Sequence, residues 1–193
     1  NFTPLYGSSG EVTDIYTGDL HGNLWKLRFS DKPTTSWNLT GLSYIKRGSG
    51  SSAVAAPLYI ARDGSTTPKV QSITAAPTLF TGPLVGGVET FYIAFGTGKY
   101  LESTDNIATT TNSFYVIYDN NSTALDTSSA SDGAIAGRGR LAAGSVNTTT
   151  KLITVPAFKW GRASSANDTT KRSGWYFDLP SGGEKLVSSI ADL

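Results

Sequence analysis

Cysteine and methionine are both missing from the 193 residues. Without cysteine there are no disulfides, no thiolate metal sites and no cysteine nucleophile. Without methionine the chain does not open on an initiator residue, which predicts a processed or excised piece of a longer protein. Histidine occurs once, at His21. A catalytic zinc usually takes at least two His or Cys ligands, more than this sequence offers. A Ser-His-Asp triad would have to use His21, which sits in a turn beside Gly22 with no nucleophile motif nearby. Charge is scarce: Asp, Glu, Lys and Arg make up 16% of the chain and the net charge is +1. That leaves neither a basic footprint for nucleic acid nor a polybasic stripe for an anionic membrane. No apolar run approaches membrane-spanning length, and no signal peptide is seen. Sustained helical periodicity is absent from every window of about 12 residues.

Ser, Thr and Gly are abundant, and they point to strands joined by many turns. Apolar and aromatic residues suffice for a core, so wholesale disorder is excluded. The best-defined stretch is Thr13 to Phe29, TDIYTGDLHGNLWKLRF. Ile15, Tyr16 and Thr17 favour strand before a polar Gly18–Asn23 turn, and Leu24 to Phe29 resume strand after it. Period-2 alternation puts Leu24, Lys26 and Arg28 on one face and Trp25, Leu27 and Phe29 on the other. The expectation is a β-hairpin with one buried, aromatic-rich face.

Further strands are predicted at Ala53–Ala61, with Pro57 forcing an edge or a bulge, and at Glu89–Phe95, Ser113–Tyr118, Lys151–Val155 and Trp175–Leu179. Glu184–Ile190 is expected to pair with the last of these across a Ser181–Gly183 turn. Asn1–Gly10 reads as an irregular lead-in. Asn120–Gly139, poor in bulky residues, reads as a long surface loop. The pattern is all-β, with about three to four blade-like antiparallel units of propeller type and long loops.

The segment YTGDLHGNLWKL resembles the Y-x-G-D-x-x-G-N-L-W-K/R stretch of the C-terminal propeller in PilC/PilY-type proteins, the tip-associated adhesins and assembly factors of bacterial type IV pili. Three later stretches resemble the same family in the same order: SITAAPTL (72–79), FGTGKYLESTD (95–105) with SFYVIYD (113–119), and GWYFDLPSGGEKLVSS (174–189). The resemblance implies that residues 1–193 are part of a larger, modified propeller of about seven blades. It also implies an exported, non-enzymatic protein at the pilus tip or outer membrane. Its partners would be minor pilins, the remaining blades and a host or abiotic surface receptor. Calcium is a family switch in some members, through a D-x-D-x-D-G-x-x-D loop just before this segment. Asp14 takes the last position of that loop, but Tyr6, Gly7, Ser8, Ser9, Gly10 and Glu11 replace the spaced ligands that calcium needs. Asp14 and Asp19 are therefore remnant metal candidates whose competing role is to bond turn backbone.

A second oxygen-rich group is Asp119, Asn120 and Asn121 with Asp126 and Asp132, against the reading of a solvated loop. Gly96-Thr97-Gly98-Lys99 lacks phosphate-loop spacing and reads as a hairpin turn. Trp25, Trp37, Trp160 and Trp175 could form a sugar-stacking surface or serve as core. Two other functions compete with adhesion. A quinoprotein-like propeller enzyme would share the Gly-Asp turns, although the vicinal cysteines often found against the quinone are missing here. A carbohydrate-binding module unconnected with pili is the other.

Overall fold

The computed structural model describes residues 1–189. Thirteen strands follow one another with only short helical turns between them. The first sheet contains β1 (Phe2–Tyr6), β2 (Val12–Gly18) and β3 (Asn23–Arg28). The chain then makes a four-residue helix, α1 (Leu39–Leu42), and a ribbon of β4 (Ile45–Arg47) and β5 (Val54–Ala56), before β6 (Tyr59–Ile60). The second sheet begins with β7 (Thr78–Thr81), β8 (Phe91–Gly96) and β9 (Ser113–Asp119). A long excursion carries β10 (Ala142–Ala143) and a second ribbon, β11 (Ser145–Val146) with β12 (Ile153–Thr154). It returns at β13 (Gly174–Asp178).

Both sheets are blade-like meanders. The first has the order β1-β2-β3-β6, and the second has β7-β8-β9-β13 with β10 added in parallel beside β13. Four antiparallel units are thus present, two of full blade size and two ribbons that interrupt the blades after their third strands. The fold is the expected all-β part of a propeller. Segment 70–77 laces the blades together: Ile73 N–H donates to Asp19 C=O at 2.9 Å and Gly98 N–H to Ser72 C=O at 2.8 Å.

The core lies where one sheet packs on the other. Tyr16 and Leu24 of the first meet Ile93, Phe95, Tyr115 and Ile117 of the second, with Tyr59 and Ile135 closing the cluster. Phe95 stacks on Tyr115 at 5.3 Å, and Tyr59 tilts against it at 5.5 Å. Aromatic rings do fill the seam, but β3 contributes none. Its buried face is Leu24 and Lys26, whereas Trp25 and Leu27 are half-buried. The expected aromatic face of the hairpin is therefore the outer one, because Lys26 has a carboxylate to meet inside. Trp37 is also largely exposed, edge-on to Phe29.

Five other expectations need correction. The lead-in is β1, paired with β2 from Phe2↔Thr17 onward; Pro4 fits because β1 is an edge strand. Pro57 splits the Ala53–Ala61 run into β5 and β6, and its carbonyl accepts from Ala134 N–H. The 120–139 region is the long loop expected, but it is not wholly at the surface: Gly133, Ala134 and Ile135 are buried against β6. Gly96-Thr97-Gly98 is no hairpin turn, since Thr97 continues the ladder to Ser113. Residues 184–189 form no strand. They pass beside β8, with Leu186 packed over Gly96 and its N–H donating to Thr97. Ile190 lies outside the described residues.

Candidate functional site

The two oxygen-rich groups in the sequence do not build one cage, but the structure brings Asp14 and Asp119 to the same inter-sheet seam. Asp119 ends β9 and is 1% exposed. Its Oδ2 accepts from Lys26 Nζ at 2.8 Å and from the Tyr16 hydroxyl at 2.6 Å. Its Oδ1 accepts from Asn121 N–H at 2.8 Å. Lys26 Nζ also donates to Asn121 Oδ1. The ammonium lies 4.3 Å from the centre of the Tyr44 ring, with Tyr16 and Phe91 at 5.4 and 5.9 Å. Removing two charges from water costs several kcal/mol per ion, and only such saturation with partners recovers it. Burial, and then the neighbouring Asp119 carboxylate, push the Tyr16 hydroxyl well above the ordinary tyrosine range.

Asp14 is held by its own cation. Arg28 Nε donates to it at 2.9 Å across the β2–β3 pair, where the two residues are register partners, and the guanidinium lies 4.1 Å from the centre of the Tyr44 ring. Asp19 is elsewhere, about 16 Å along the strand from Asp14 at 3.3 Å per residue. Its two oxygens accept from His21 N–H, Asn23 N–H, Asn23 Nδ2 and Trp25 Nε1, which fixes the turn. Asp126 pairs with Arg162 at 2.8 Å and stands 3.6 Å from Arg140. Among the described residues no three His, Cys, Asp or Glu side chains gather as metal ligands. The calcium that the resemblance implies does not fit these donors: Arg28 already stands against Asp14, and both oxygens of Asp19 are taken by N–H groups of its own turn.

A second, partly buried network was not foreseen. Arg138 donates to Ser113 Oγ at 2.7 Å, to the Arg62 carbonyl at 2.6 Å and to Asp178, with its guanidinium over Tyr176. Gln71 and the Tyr115 hydroxyl complete it. Nothing in the spacing of Gln71, Ser113, Arg138 and Asp178 signals that they meet. Lys26 was better marked, because alternation had put it on the face of Leu24. Lys99, the lysine of the phosphate-loop-like run, pairs with Asp105 at 3.3 Å. The four tryptophans share no surface. Trp25 caps the Asp19 turn, Trp37 meets Phe29, Trp160 packs on Tyr92 and Phe158, and Trp175 on Phe114.

Two neighbouring turns present apolar groups instead. At the β7–β8 tip, Val85 and Val88 pair across Gly86 and Gly87, whose φ values of 60° and 79° suit a primed two-residue turn. Leu84 there is 69% exposed, and Tyr6 at the β1–β2 turn 65%. A cleft of about 270 Å³ between the hairpins is lined by Tyr6, Asp14, Arg28, Glu89 and Asn121.

A family model described as the PilY1 beta-propeller domain matches residues 6–152. The chain belongs to the PilY1 β-propeller family. A type IV pilus biogenesis factor PilY1 homolog of Xylella fastidiosa is 30% identical over 182 residues, covering 91% of this chain and 10% of that protein. The type IV pilus biogenesis factor PilY1 of Pseudomonas aeruginosa strain UCBPP-PA14 is 29% identical over 202 residues, covering 92% of this chain and 17% of the relative. The crystal structure of the P. aeruginosa PilY1 C-terminal domain superposes with a TM-score of 0.57 at 24% identity, over 97% of this chain and 41% of that one. That likeness carries the PilY1 propeller fold. No helix among the described residues is long and apolar enough to cross a membrane.

Proposed function

We propose that residues 1–193 form part of a PilY1-type propeller that acts, without catalysis, in type IV pilus biogenesis and surface adhesion. The protein would be exported and held at the pilus tip or outer membrane, against minor pilins and the other blades of its precursor. The apolar turns would face a host or abiotic surface. The observation that carries this reading is family membership combined with where the charges are. The Lys26–Asp119 pair is spent holding the blades together inside the seam, and Arg138 is spent bridging Ser113 and Asp178 at the ends of β9 and β13. The exposed apolar side chains of Tyr6, Leu84, Val85 and Val88 stand at two hairpin tips. An adhesive module needs rigid blades and variable tips, whereas a propeller enzyme needs ionisable groups converging on a pocket.

Co-purification of the tagged precursor with minor pilins, and pilus counts in a strain lacking this region, test the reading. Recovery of minor pilins together with fewer surface pili is expected. Normal piliation and normal attachment without the region would overturn it.

A further inference from the structure

We propose that Lys26 and Asn121 become joined by an amide bond between their side chains, formed within the folded chain with Asp119 carrying the proton. The proposal rests on the seam geometry and not on the functional reading. Lys26 lies on β3 of the first sheet, and Asn121 just follows β9 of the second. The Lys26 amine touches both a carboxamide and a carboxylate: it donates to Asn121 Oδ1 and, at 2.8 Å, to Asp119 Oδ2. Its side chain has no exposure and that of Asp119 has 1%.

Asn121 is held through its side chain and its backbone. Asn121 Nδ2 donates to the Glu89 carbonyl at 2.8 Å, its backbone N–H to Asp119 Oδ1 at 2.8 Å, and its backbone carbonyl accepts from Tyr44 Oη at 2.5 Å. The residue keeps φ at 55°, in the left-handed region that asparagine tolerates. An amine does not attack an amide in water at any useful rate. Here the reactants are fixed against one another, a proton carrier is in hydrogen-bond contact and the rings of Tyr16, Tyr44 and Phe91 displace water from the amine. These are the conditions that convert an encounter into an intramolecular step.

The step balances without an added reagent. The Lys26 ammonium gives one proton to Asp119, and the free amine attacks Asn121 Cγ. The new nitrogen–carbon bond forms as the bond from Cγ to Nδ2 breaks. The departing nitrogen takes a second proton from the lysine nitrogen and leaves as ammonia. The cleft beside Asn121 opens towards solvent and provides the exit. A buried ion pair is thereby replaced by a neutral amide beside a neutral carboxyl, which removes the cost of holding two charges out of water. The bond would tie the two blades covalently in a chain that has no cysteine.

The intact mass of the purified chain, taken from a sample with a cooperative thermal transition, tests this. A mass below that of the sequence by one ammonia is expected. Tandem mass spectrometry of a protease digest should then yield a branched peptide joining the segments that contain Lys26 and Asn121. The full sequence mass in folded protein would overturn the proposal. Lys26→Arg keeps the cation but lacks the nucleophilic amine, so this variant should retain the full mass. Loss of ammonia that persists in Lys26→Arg would identify ring closure of an asparagine on its own backbone and would also overturn it. The branched peptide is read on the unaltered chain, so the outcome does not depend on the variant folding.

Discussion

Lys26 of the first blade and Asp119 of the second meet at 2.8 Å with neither side chain open to solvent. They are 93 residues apart in the chain, so the contact exists only once both blades are formed and packed. It is the polar counterpart of the aromatic seam beside it. Burial of Tyr16, Phe95 and Tyr115 drives the blades together without direction, whereas the ion pair admits a single alignment.

Removing one partner should cost more than removing both. In an Asn121→Ser background, where the proposed amide cannot form and Lys26 keeps its charge, Lys26→Met leaves the Asp119 carboxylate without its cation and should destabilise by about 3–5 kcal/mol. Asp119→Leu added to it should recover a substantial part of the loss. Urea unfolding midpoints of the single and double variants measure the difference. Equal destabilisation in the two would show that the charges do not depend on each other.

Gly133 tests whether the 120–139 region belongs to the core. A Cβ at this position would stand 2.7 Å from Tyr59 Cα and 2.9 Å from the Leu58 carbonyl, both backbone atoms of or beside β6. Backbone cannot rotate aside as a side chain can. Gly133→Ala should therefore cost more than about 1 kcal/mol, the upper end of what a compatible Gly→Ala change alters. Gly64→Ala, whose new Cβ would meet only the end of Arg138 at 3.5 Å, should stay within about 0.5 kcal/mol. Thermal midpoints of both variants check the contrast.

That region also marks where the sequence stopped being readable. The hairpin at 13–29 and the strand at 175–179 follow from period-2 alternation, the strands at 89–95 and 113–118 from β-forming apolar runs, and the all-β class from these with the turn residues, all of them local signals. The buried run Gly133-Ala134-Ile135 has no such signature. It gains its place from backbone bonds to Pro57 and Leu58, more than 70 residues earlier, and small residues are chosen there because β6 leaves no room. Lys26 is an intermediate case. Alternation placed it beside Leu24, but the hydrophobic rule that lysines face water pointed the wrong way until Asp119 was seen to meet it. Asp14 and Asp19 were singled out for their types. Their actual partners, Arg28 and the turn amides, were present in the same hairpin and legible from its register.

Alkali should unfold the chain through its buried tyrosines. Burial pushes the Tyr115 hydroxyl up to about 12, with Arg138 working against it, and burial holds Tyr16 and Tyr59 well above the ordinary value. An unfolded tyrosine ionises near 10. Below that value both states keep their protons and the contribution is complete. From about 10 to about 12 the unfolded state releases protons first, so stability falls as pH rises. Thermal midpoints should drop steeply across this window, with tyrosinate absorbance appearing together with unfolding. Tyr115→Phe should make the slope shallower. Midpoints that stay level up to about pH 12 would contradict the burial of these hydroxyls.

The apolar turns make a prediction that separates binding from folding. Leu84, Val85 and Val88 are 69%, 54% and 45% exposed at a tip whose shape is fixed by Gly86 and Gly87. Water already covers most of their surface, so Leu84→Ser with Val85→Ser should shift stability by no more than about 0.5 kcal/mol per site. Burial of the same side chains against an apolar partner would gain roughly 25 cal/mol for each Å² removed from water. The double variant should therefore keep its thermal midpoint and lose at least about tenfold in attachment to a hydrophobic surface, a loss of about 1.4 kcal/mol in binding. Attachment is read by retention of the purified chain on alkyl-coated beads across a salt series. Because no cation stands among residues 80–88, retention should not weaken as salt rises. Retention that falls with salt, or that survives the substitutions, would assign attachment to a charged part of the surface instead.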